Sequence, residues 1–272
     1  MDLSKNIEDF DLIILDLETT GLDVVTGDSI CEIGAFKVKD RKIVDKFHSL
    51  INPRKTIPQE AYRIHKISDE ELKDAPYFED VAAKLILFLE ESVVCAYNVG
   101  FDMGFINNHL MKIDQAPLNL PAIDILAMAR DALSLSQYNL KTVAGFFKID
   151  CSQGLHRALD DALVAYQVFS NLIDIFKGKG IDKLEEFLSL YGFRNDIFKL
   201  KEDEKLLFLK DAIDKKVGSK IRYFSSANII EEETILPLRV FEENRCFCLL
   251  YQGKDENSFR IRLDRILNIK PV

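Results

Sequence analysis

The sequence contains no tryptophan and only five cysteines, seven prolines and twelve glycines among 272 residues. An odd number of cysteines, with no Cys-X-X-Cys pair, argues against a disulfide framework or a structural zinc site, so we expect reduced thiols. Cys246 and Cys248 alternate on a predicted strand, where we expect them to pack. The low glycine and proline content excludes a fibrous or low-complexity chain.

Long apolar runs are also missing. None approaches the roughly 20 residues that a membrane helix needs, and the opening segment MDLSKNIEDF has no basic region followed by an apolar stretch. We therefore expect a cytoplasmic protein with no membrane partner. Hydrophobic residues make up 47% of the chain and charged residues 30%, which is typical of a folded protein rather than a disordered one.

Positive charge is in short supply, since 45 acidic residues against 36 basic ones give a formal net charge of −9. This balance disfavours non-specific binding to nucleic acid, because such binding requires Lys and Arg to displace cations from phosphates. The objection weakens if an acidic cluster binds divalent metal ions, since loading reverses the local charge. Residues 54–66 concentrate positive charge and apolar residues, which suits contact with a single strand or simply a solvated loop.

The hydrophobic periodicity predicts an α/β domain followed by a smaller β domain. Three strands come first, then helices and strands alternate, which indicates a mixed sheet with helices on its faces. We predict strands at 11–17, 30–38, 43–51, 93–96 and ending at 123, and helices at 78–91, 101–111, 125–133, 140–147 and 158–176. A charged helical stretch at 181–216 precedes alternating residues typical of strands. The predicted divisions are 1–178, a helical linker at 179–204, and a β domain at 205–272.

The first candidate site is Asp16-Leu17-Glu18-Thr19-Thr20-Gly21, which closes the first predicted strand. Alternate residues of a strand share a face, so Asp16 and Glu18 project together, roughly 6.6 Å apart along the backbone. Two carboxylates aimed at one point suit a hard cation. The alternative is a polar strand end that enters a turn.

Two further acidic positions lie at predicted helix starts. Asp102 falls in the first turn of a helix, where an acidic residue also stabilises the helix dipole. In the segment His156-Arg157-Ala158-Leu159-Asp160-Asp161, helical spacing places Asp161 on the apolar stripe and Asp160 off it. A carboxylate on the core side needs a partner or a metal. His156 lies well off that stripe, so we expect it on the preceding loop.

The segments DLETTG, YNVGFD and HRALDD, in this order, resemble the three exonuclease motifs of the DEDDh superfamily, which includes the proofreading ε subunit of bacterial DNA polymerase III. The resemblance covers roughly 11–176. It implies a ribonuclease H-like fold with a mixed five-stranded sheet and flanking helices. Tyr97 is one departure, because many members carry His before the Asn. Other members carry Tyr there.

The resemblance implies a 3′→5′ exonuclease in which Asp16, Glu18, Asp102 and Asp161 hold two divalent ions, Mg²⁺ or Mn²⁺. Two such ions stabilise the attacking and leaving oxygens of an in-line displacement on phosphorus. His156 would accept a proton from the attacking water, because its unperturbed pKa of about 6.5 suits that role near neutral pH. The product would be a nucleoside 5′-monophosphate.

The resemblance also implies substrate contacts around the site. Residues expected near the terminal nucleotide are Thr19, Gly21, Ile64, His65, Asn98 and Phe101. Asp124 is expected to cap the following helix rather than to bind metal. The expected partners are DNA, with single-stranded 3′ ends favoured, or RNA, and a DNA polymerase or repair complex.

Residues 205–272 resemble a WYL domain, a small β-barrel attached to nucleic-acid enzymes and regulators. The segment Phe259-Arg260-Ile261-Arg262-Leu263-Asp264-Arg265-Ile266 carries most of the resemblance, whereas Cys246-Phe247-Cys248 stands where Trp-Tyr-Leu would be. Arg260 and Arg262 share a strand face and suit phosphate or single-stranded nucleic acid. A packing or dimerisation domain with solvated arginines is the alternative.

The sequence leaves three hypotheses for the function of the protein. The leading hypothesis is an exonuclease that acts on DNA in proofreading or repair. RNA 3′-end trimming is the rival within enzymes, because the same metal chemistry attacks either backbone. The rival outside enzymes is a non-catalytic binding or regulatory protein on a nuclease scaffold.

Overall fold

A computed structural model describes residues 1–151, 156–193, 196–243, 246–254 and 256–272. Its first part is built on one mixed sheet with strands in the order β3-β2-β1-β4-β5. The pairs β1–β2 and β2–β3 are antiparallel, and β1–β4 and β4–β5 are parallel. The strands are β1 (Leu12–Thr19), β2 (Ile30–Lys39), β3 (Lys42–Leu50), β4 (Val93–Ala96) and β5 (Ala122–Asp124).

Helices cover both faces of this sheet because its inner strands are apolar on both sides. Even-numbered β1 residues such as Ile14 pack with α5, α6 and α7, and odd-numbered ones such as Ile13 pack with α3 and α4. The helices are α1 (Gln59–His65), α2 (Asp69–Leu72), α3 (Phe78–Leu89), α4 (Val99–Lys112), α5 (Ile125–Ala132), α6 (Leu140–Phe146) and α7 (Ala158–Gly178). The sheet and helices confirm the predicted α/β fold.

The rest of the described chain forms two helices and a second sheet. This sheet is antiparallel, with its strands in the order β10-β6-β7-β8-β9. The elements are α8 (Leu184–Tyr191), α9 (Asp196–Lys215), β6 (Ser219–Phe224), β7 (Ile230–Glu243), β8 (Cys246–Gln252), β9 (Ser258–Arg262) and β10 (Ile266–Pro271). Closure into a barrel stays a prediction.

The expected divisions of the chain differ in detail from these elements. The stretch predicted as helical from 181 to 216 is two helices, because Gly192 leaves the helix and forms an isolated β-bridge with Ile123. The expected boundary at 204/205 falls inside α9. Leu206 and Leu209 of α9 pack in the core of the second sheet, so this helix belongs with that sheet, and a division into domains stays a prediction.

The second sheet is packed directly against the first part of the chain. Phe224 of β6 joins the core of the first part, with its ring 6.0 Å from that of Phe176. Arg265 donates two hydrogen bonds to Asp131 of α5. The two sheets are thus joined by apolar and charged contacts.

All five cysteines are free thiols, as predicted from their number and spacing. Cys248 is buried, and Cys246 is half-buried on the same strand. Over the part of the chain that the structure describes, no helix combines the length and hydrophobicity that crossing a membrane requires.

Candidate active site

Asp16 and Glu18 lie at the carboxyl end of β1, at the centre of the sheet. Their side chains share one face of the strand, because residues two apart point the same way. Asp161 reaches the same place from α7, and one carboxylate oxygen from each of these three residues lies within 4.8 Å of the others. The structure therefore brings together three of the predicted metal ligands.

Asp161 takes this position because α7 begins at Ala158 directly above β2. Within α7, Asp160 is exposed, whereas Asp161 is half-buried and faces the sheet. This outcome confirms the helical spacing argument that distinguished the two aspartates. The same docking places Asp161 beside the end of β1.

Asp102 lies in the first turn of α4 and is only 3% exposed. The helix begins after Asn98, whose φ of 79° lies in the left-handed region and turns the chain sharply out of β4. Asp102 is outside the group of three close carboxylates, yet its negative charge acts on Asp16. It therefore borders the cluster on the side of Asp16.

The electrostatics of the cluster are those of crowded, buried carboxylates. Burial, followed by the negative charges of Asp102 and Asp161, raises the pKa of Asp16 well above its usual range. Burial and the charge of Asp161 raise the pKa of Glu18 to about 8. Burial also raises the pKa of Asp161 and of Asp102. Such shifts show that the folded chain holds negative charges together that repel one another.

His156 lies on the loop immediately before α7, as predicted, and is exposed. Its φ of 85° is in the left-handed region. Its backbone N–H donates a hydrogen bond to Oδ1 of Asp161 at 3.1 Å. Burial raises the pKa of Asp161, and this backbone hydrogen bond, followed by the His156 ring when it is protonated, acts in the opposite direction. The imidazole therefore lies close to the carboxylate cluster.

This donor set fits a divalent cation of the hard type. Carboxylate oxygens are the ligands that Mg²⁺ and Mn²⁺ favour, and three of them lie close enough for one ion to bridge. A positive ion would also relieve the repulsion that raises the pKa values of Asp16 and Glu18. The repulsion between these carboxylates therefore favours the binding of a cation.

Thr19 ends β1 directly after Glu18, and Gly21 follows two residues later. The Thr19 hydroxyl donates to the carbonyl of Gly21 at 2.6 Å, and a Cβ on Gly21 would collide with the Asp28 carboxylate at 2.2 Å. Ile64 on α1 is 53% exposed, whereas His65 is 2% exposed and accepts a hydrogen bond from the backbone of Ile67. Ile64 therefore presents its side chain at the surface, and His65 does not.

The start of α4 carries two of the predicted substrate contacts. Asn98 is exposed, and Phe101 is half-buried, with its ring 4.8 Å from that of Phe105. Asp124 accepts hydrogen bonds from the amides of Leu126 and Ala127, which confirms that it caps α5. Its carboxylate also interacts with the Asn98 backbone amide, and so supports the left-handed turn before α4.

Arg260 and Arg262 lie on β9, a strand at one edge of the second sheet. Arg260 pairs with Glu243, and Arg262 pairs with Asp264. Their charges are therefore partly balanced within the chain. Binding of nucleic acid by these two arginines stays a prediction.

Sequence reasoning missed two residues that support the site, Glu32 and Arg157. Glu32 lies in a run of buried β2 residues and forms an ion pair with Arg157, next to His156. The signal was available, because a lone carboxylate within the apolar segment ICEIGAF needs a buried partner. The sequence offered no way to decide which of 36 basic residues that partner was.

Residues 13–169 match the family model described as exonuclease. The DNA polymerase III subunit epsilon of Rickettsia felis is 42% identical over 166 residues, covering 59% of this chain and 72% of that protein. The PolC-type DNA polymerase III of Thermotoga petrophila is 37% identical over 186 residues, covering 68% of this chain. The matched part is only 14% of that polymerase.

Solved structures with a similar fold include Escherichia coli exonuclease I in complex with a 5cy-dT13 oligonucleotide. Its TM-score is 0.58 at 16% identity, and the match covers 90% of this chain and 54% of that one. The nuclease domain of 3′hExo, a DEDDh family member bound to rAMP, gives a TM-score of 0.54 at 16% identity, covering 60% and 92%. The family match, with the convergent carboxylates, shows that this chain belongs to the exonuclease family.

Proposed function

We propose that the chain is a metal-dependent 3′→5′ exonuclease that releases nucleoside 5′-monophosphates from DNA 3′ ends. The observation that carries this proposal is the convergence of Asp16, Glu18 and Asp161 within 4.8 Å, from a strand and a helix far apart in sequence. Asp102 borders the same cluster, and His156 lies beside it. Family membership supports the reaction class.

In this proposal, Asp16, Glu18 and Asp161 hold one divalent cation, and Asp16 with Asp102 holds a second. When bound, the two ions supply charge stabilisation to the attacking and leaving oxygens of an in-line displacement at phosphorus. The four carboxylates thus fix the place of the reaction at the end of β1. Mg²⁺ or Mn²⁺ suits an all-oxygen site.

His156 acts as the general base in this proposal. Its exposed ring lies on the loop next to Asp161, so we expect it to face the water that attacks the 3′-terminal phosphodiester. The imidazole removes a proton from that water and leaves an oxygen able to attack phosphorus. The hydrogen bond from its backbone to Asp161 holds the loop that carries the base next to the proposed metal ligand.

The substrate is single-stranded DNA at a 3′ end. We expect Thr19, Gly21, Ile64, Asn98 and Phe101 to contact the terminal nucleotide, whereas His65 is 2% exposed and would act only by supporting its neighbours. Exposed Ile64 offers an apolar surface for an unpaired base. The DNA assignment draws support from the similarity to bacterial polymerase III epsilon subunits, and RNA trimming is the alternative.

We also propose that the second sheet is a WYL-like module that guides a nucleic-acid end, and that the chain works in the cytoplasm with a polymerase or repair complex. Arg260 and Arg262 are the residues of this module that would meet phosphates. The pair of substitutions Arg260→Ala and Arg262→Ala should weaken single-strand binding and its dependence on salt. Unchanged affinity and salt dependence would remove these two residues from the substrate surface.

The experiment for the proposed activity uses DNA oligonucleotides labelled at the 5′ end, with Mg²⁺ or Mn²⁺ and an EDTA control. We expect a ladder of products shortened from the 3′ end, with nucleoside 5′-monophosphates identified by mass spectrometry. Asp16→Asn should abolish the ladder, because it removes a charged ligand shared by both ions. An oligonucleotide with a blocked 3′ terminus should likewise give no ladder.

Two other outcomes would redirect the proposal. Shortening of RNA but not of DNA would favour the trimming alternative. Binding of oligonucleotides without metal-dependent cleavage of either polymer would favour a non-catalytic protein on a nuclease scaffold. Release of labelled 5′ ends first would contradict the proposed polarity.

A further inference from the structure

The carboxylate of Glu32 is buried at a place where a negative charge is costly. Glu32 is 1% exposed and is the cross-strand partner of Glu18, in register between β1 and β2. It therefore lies beside other carboxylates, because Glu18 belongs to the cluster with Asp16 and Asp161. Burying the negative charge of Glu32 beside other carboxylates is unfavourable unless favourable contacts balance it.

Hydrogen bonds from three residues occupy this carboxylate. Arg157 donates from Nε to Oε2 at 3.0 Å and from Nη2 to Oε1 at 2.9 Å. The amide of Ala158 donates to Oε2 at 3.0 Å, and Nε2 of His48 lies 2.7 Å from Oε1. A carboxylate has about four acceptor positions, so little capacity remains for Glu32 to bind a metal ion.

The bonds also overcome the penalty of burial. Burial alone would raise the pKa of Glu32, but the hydrogen bonds from Arg157, His48 and Ala158 bring the net pKa below its usual value. The carboxylate is therefore fully paired. Such charge-assisted, two-pronged bonds from an arginine fix orientation as well as distance.

The partners of Glu32 lie at the start of α7. Arg157 is the N-cap residue of the helix, and Ala158 is its first residue. His156 precedes them by one position, and Asp161 follows within the next turn. We call the hydrogen bonds from Arg157 and Ala158 to Glu32 the clamp. Because it holds the start of α7, the clamp restrains the proposed general base and a proposed metal ligand together.

A second feature brings the helix and the strand close enough for this clamp. Gly34, two residues beyond Glu32 on the same face of β2, lies beneath the first turn of α7. A Cβ at Gly34 would be 2.3 Å from the amide nitrogen of Leu159 and 2.4 Å from the carbonyl carbon of Ala158. Gly34 is also the cross-strand partner of Asp16.

We propose that Glu32 is a positioning residue, which holds Arg157 and the Ala158 amide so that Asp161 and His156 face Asp16 and Glu18 across the metal site. The proposal rests on the proposed exonuclease function. It assigns Glu32 no contact with substrate or metal. Loss of the clamp should change metal loading and turnover rather than substrate affinity.

The first test compares the unsubstituted chain with Glu32→Gln in kcat, KM and the Mg²⁺ concentration for half-maximal rate. Partners that orient metal ligands typically affect affinity or activity by about 10–100-fold. We expect kcat to fall within that range and the Mg²⁺ midpoint to rise, with KM for the oligonucleotide unchanged. A purely structural role would leave the Mg²⁺ midpoint of the folded fraction unchanged.

A second variant guards against misfolding. Arg157→Gln alone would leave the buried Glu32 carboxylate without its arginine, so the double variant E32Q/R157Q removes both charges together. We expect its kcat to lie within a few-fold of the single E32Q value, because both substitutions break the same clamp. Independent, multiplicative losses would contradict a shared clamp.

Glu186 provides a matched control. It is 5% exposed, accepts hydrogen bonds from the amides of Asp182 and Lys183 before α8, and pairs with Arg222. Glu186→Gln therefore removes a similar buried, helix-capping carboxylate far from the carboxylate cluster in sequence. We expect it to lower Tm while kcat and the Mg²⁺ midpoint of the folded protein stay unchanged.

The outcomes separate the two proposals. If the unsubstituted chain shows no EDTA-sensitive cleavage, the proposed function fails. If it cleaves and E32Q keeps the same kcat and Mg²⁺ midpoint, the positioning role of Glu32 is wrong. Equal changes in E32Q and Glu186→Gln would also overturn that role, since they would report general destabilisation.

Discussion

The backbone amide of His156 donates a hydrogen bond to Oδ1 of Asp161 at 3.1 Å, across the start of α7. One carboxylate thus contributes an oxygen to the acidic cluster and also fixes the loop that carries the imidazole. Because this bond involves the backbone, replacing the His156 side chain should leave it in place. The roles of base and metal ligand can therefore be separated by mutation.

We predict that His156→Ala lowers kcat by about 10²–10⁴-fold, the usual contribution of a positioned general base. Metal binding should persist, because the four carboxylates and the hydrogen bond to Asp161 remain. Single-turnover cleavage measures the first effect, and the rise in Tm on addition of Mn²⁺ measures the second. Loss of the Mn²⁺ response together with activity would show that His156 shapes the metal site instead.

The stability of the metal-free protein should fall as pH rises from about 5 to above 8. Burial and Asp161 raise the pKa of Glu18 to about 8, so the folded chain keeps a proton that the unfolded chain has lost. The resulting stabilisation is complete below the unfolded pKa of about 4.3 and disappears as pH passes the folded pKa. Urea unfolding in EDTA should show the decline.

Glu18→Gln supplies the control for this pH dependence. Its stability should vary less with pH, and the gain over the unsubstituted chain at pH 9 should be on the order of 5 kcal/mol. Added Mg²⁺ should stabilise the unsubstituted chain more at pH 8 than at pH 6, because ionised carboxylates bind it. A metal-free stability that rises over this range would contradict the described electrostatics of the cluster.

Gly34→Ala should destabilise the fold by about 1–3 kcal/mol, as overpacking does. The added Cβ would lie 2.3 Å from the Leu159 amide nitrogen, which is backbone and has no flexible side chain to move away. Gly104→Ala in α4 is the control, since nothing lies within 4 Å of its added Cβ. That substitution should raise stability by about 0.5–1 kcal/mol through helix propensity. Equal Tm values for the two variants would be inconsistent with the close approach of α7.

Arg265→Ala should cost about 2 kcal/mol, because it removes two charge-assisted hydrogen bonds to Asp131 from a mostly buried place between the two sheets. Arg260→Ala removes a mostly exposed pair with Glu243 and should cost less than about 1 kcal/mol. Guanidinium unfolding curves give both values. A similar cost for both would show that the contact at Asp131 contributes no more than a surface pair.

Much of the first part of the chain could be predicted from local patterns. The alternation in LIILDLET placed Asp16 and Glu18 on one face of a strand, and helical spacing separated Asp161 from Asp160. These features depend on neighbours in sequence, so periodicity suffices to find them. Asp124 was likewise identified as a helix cap from its place before α5.

Contacts between distant segments could not be predicted. The pairing of Glu32 with Arg157 joins residues 125 positions apart, and no local pattern chooses one arginine over another. The same holds for Arg265 and Asp131, which join the second sheet to α5. The burial of His65 beside exposed Ile64 also depends on how α1 packs, which a short helix does not reveal by its own periodicity.

The most direct measurement is a crystal of the protein soaked with Mn²⁺ and a nucleoside 5′-monophosphate, with anomalous scattering used to locate the ions. We predict two anomalous peaks about 3.5–4 Å apart. One should lie among Asp16, Glu18 and Asp161, and the other between Asp16 and Asp102. Absence of any peak at these carboxylates at saturating Mn²⁺, or peaks only elsewhere on the chain, would contradict the metal-dependent exonuclease site.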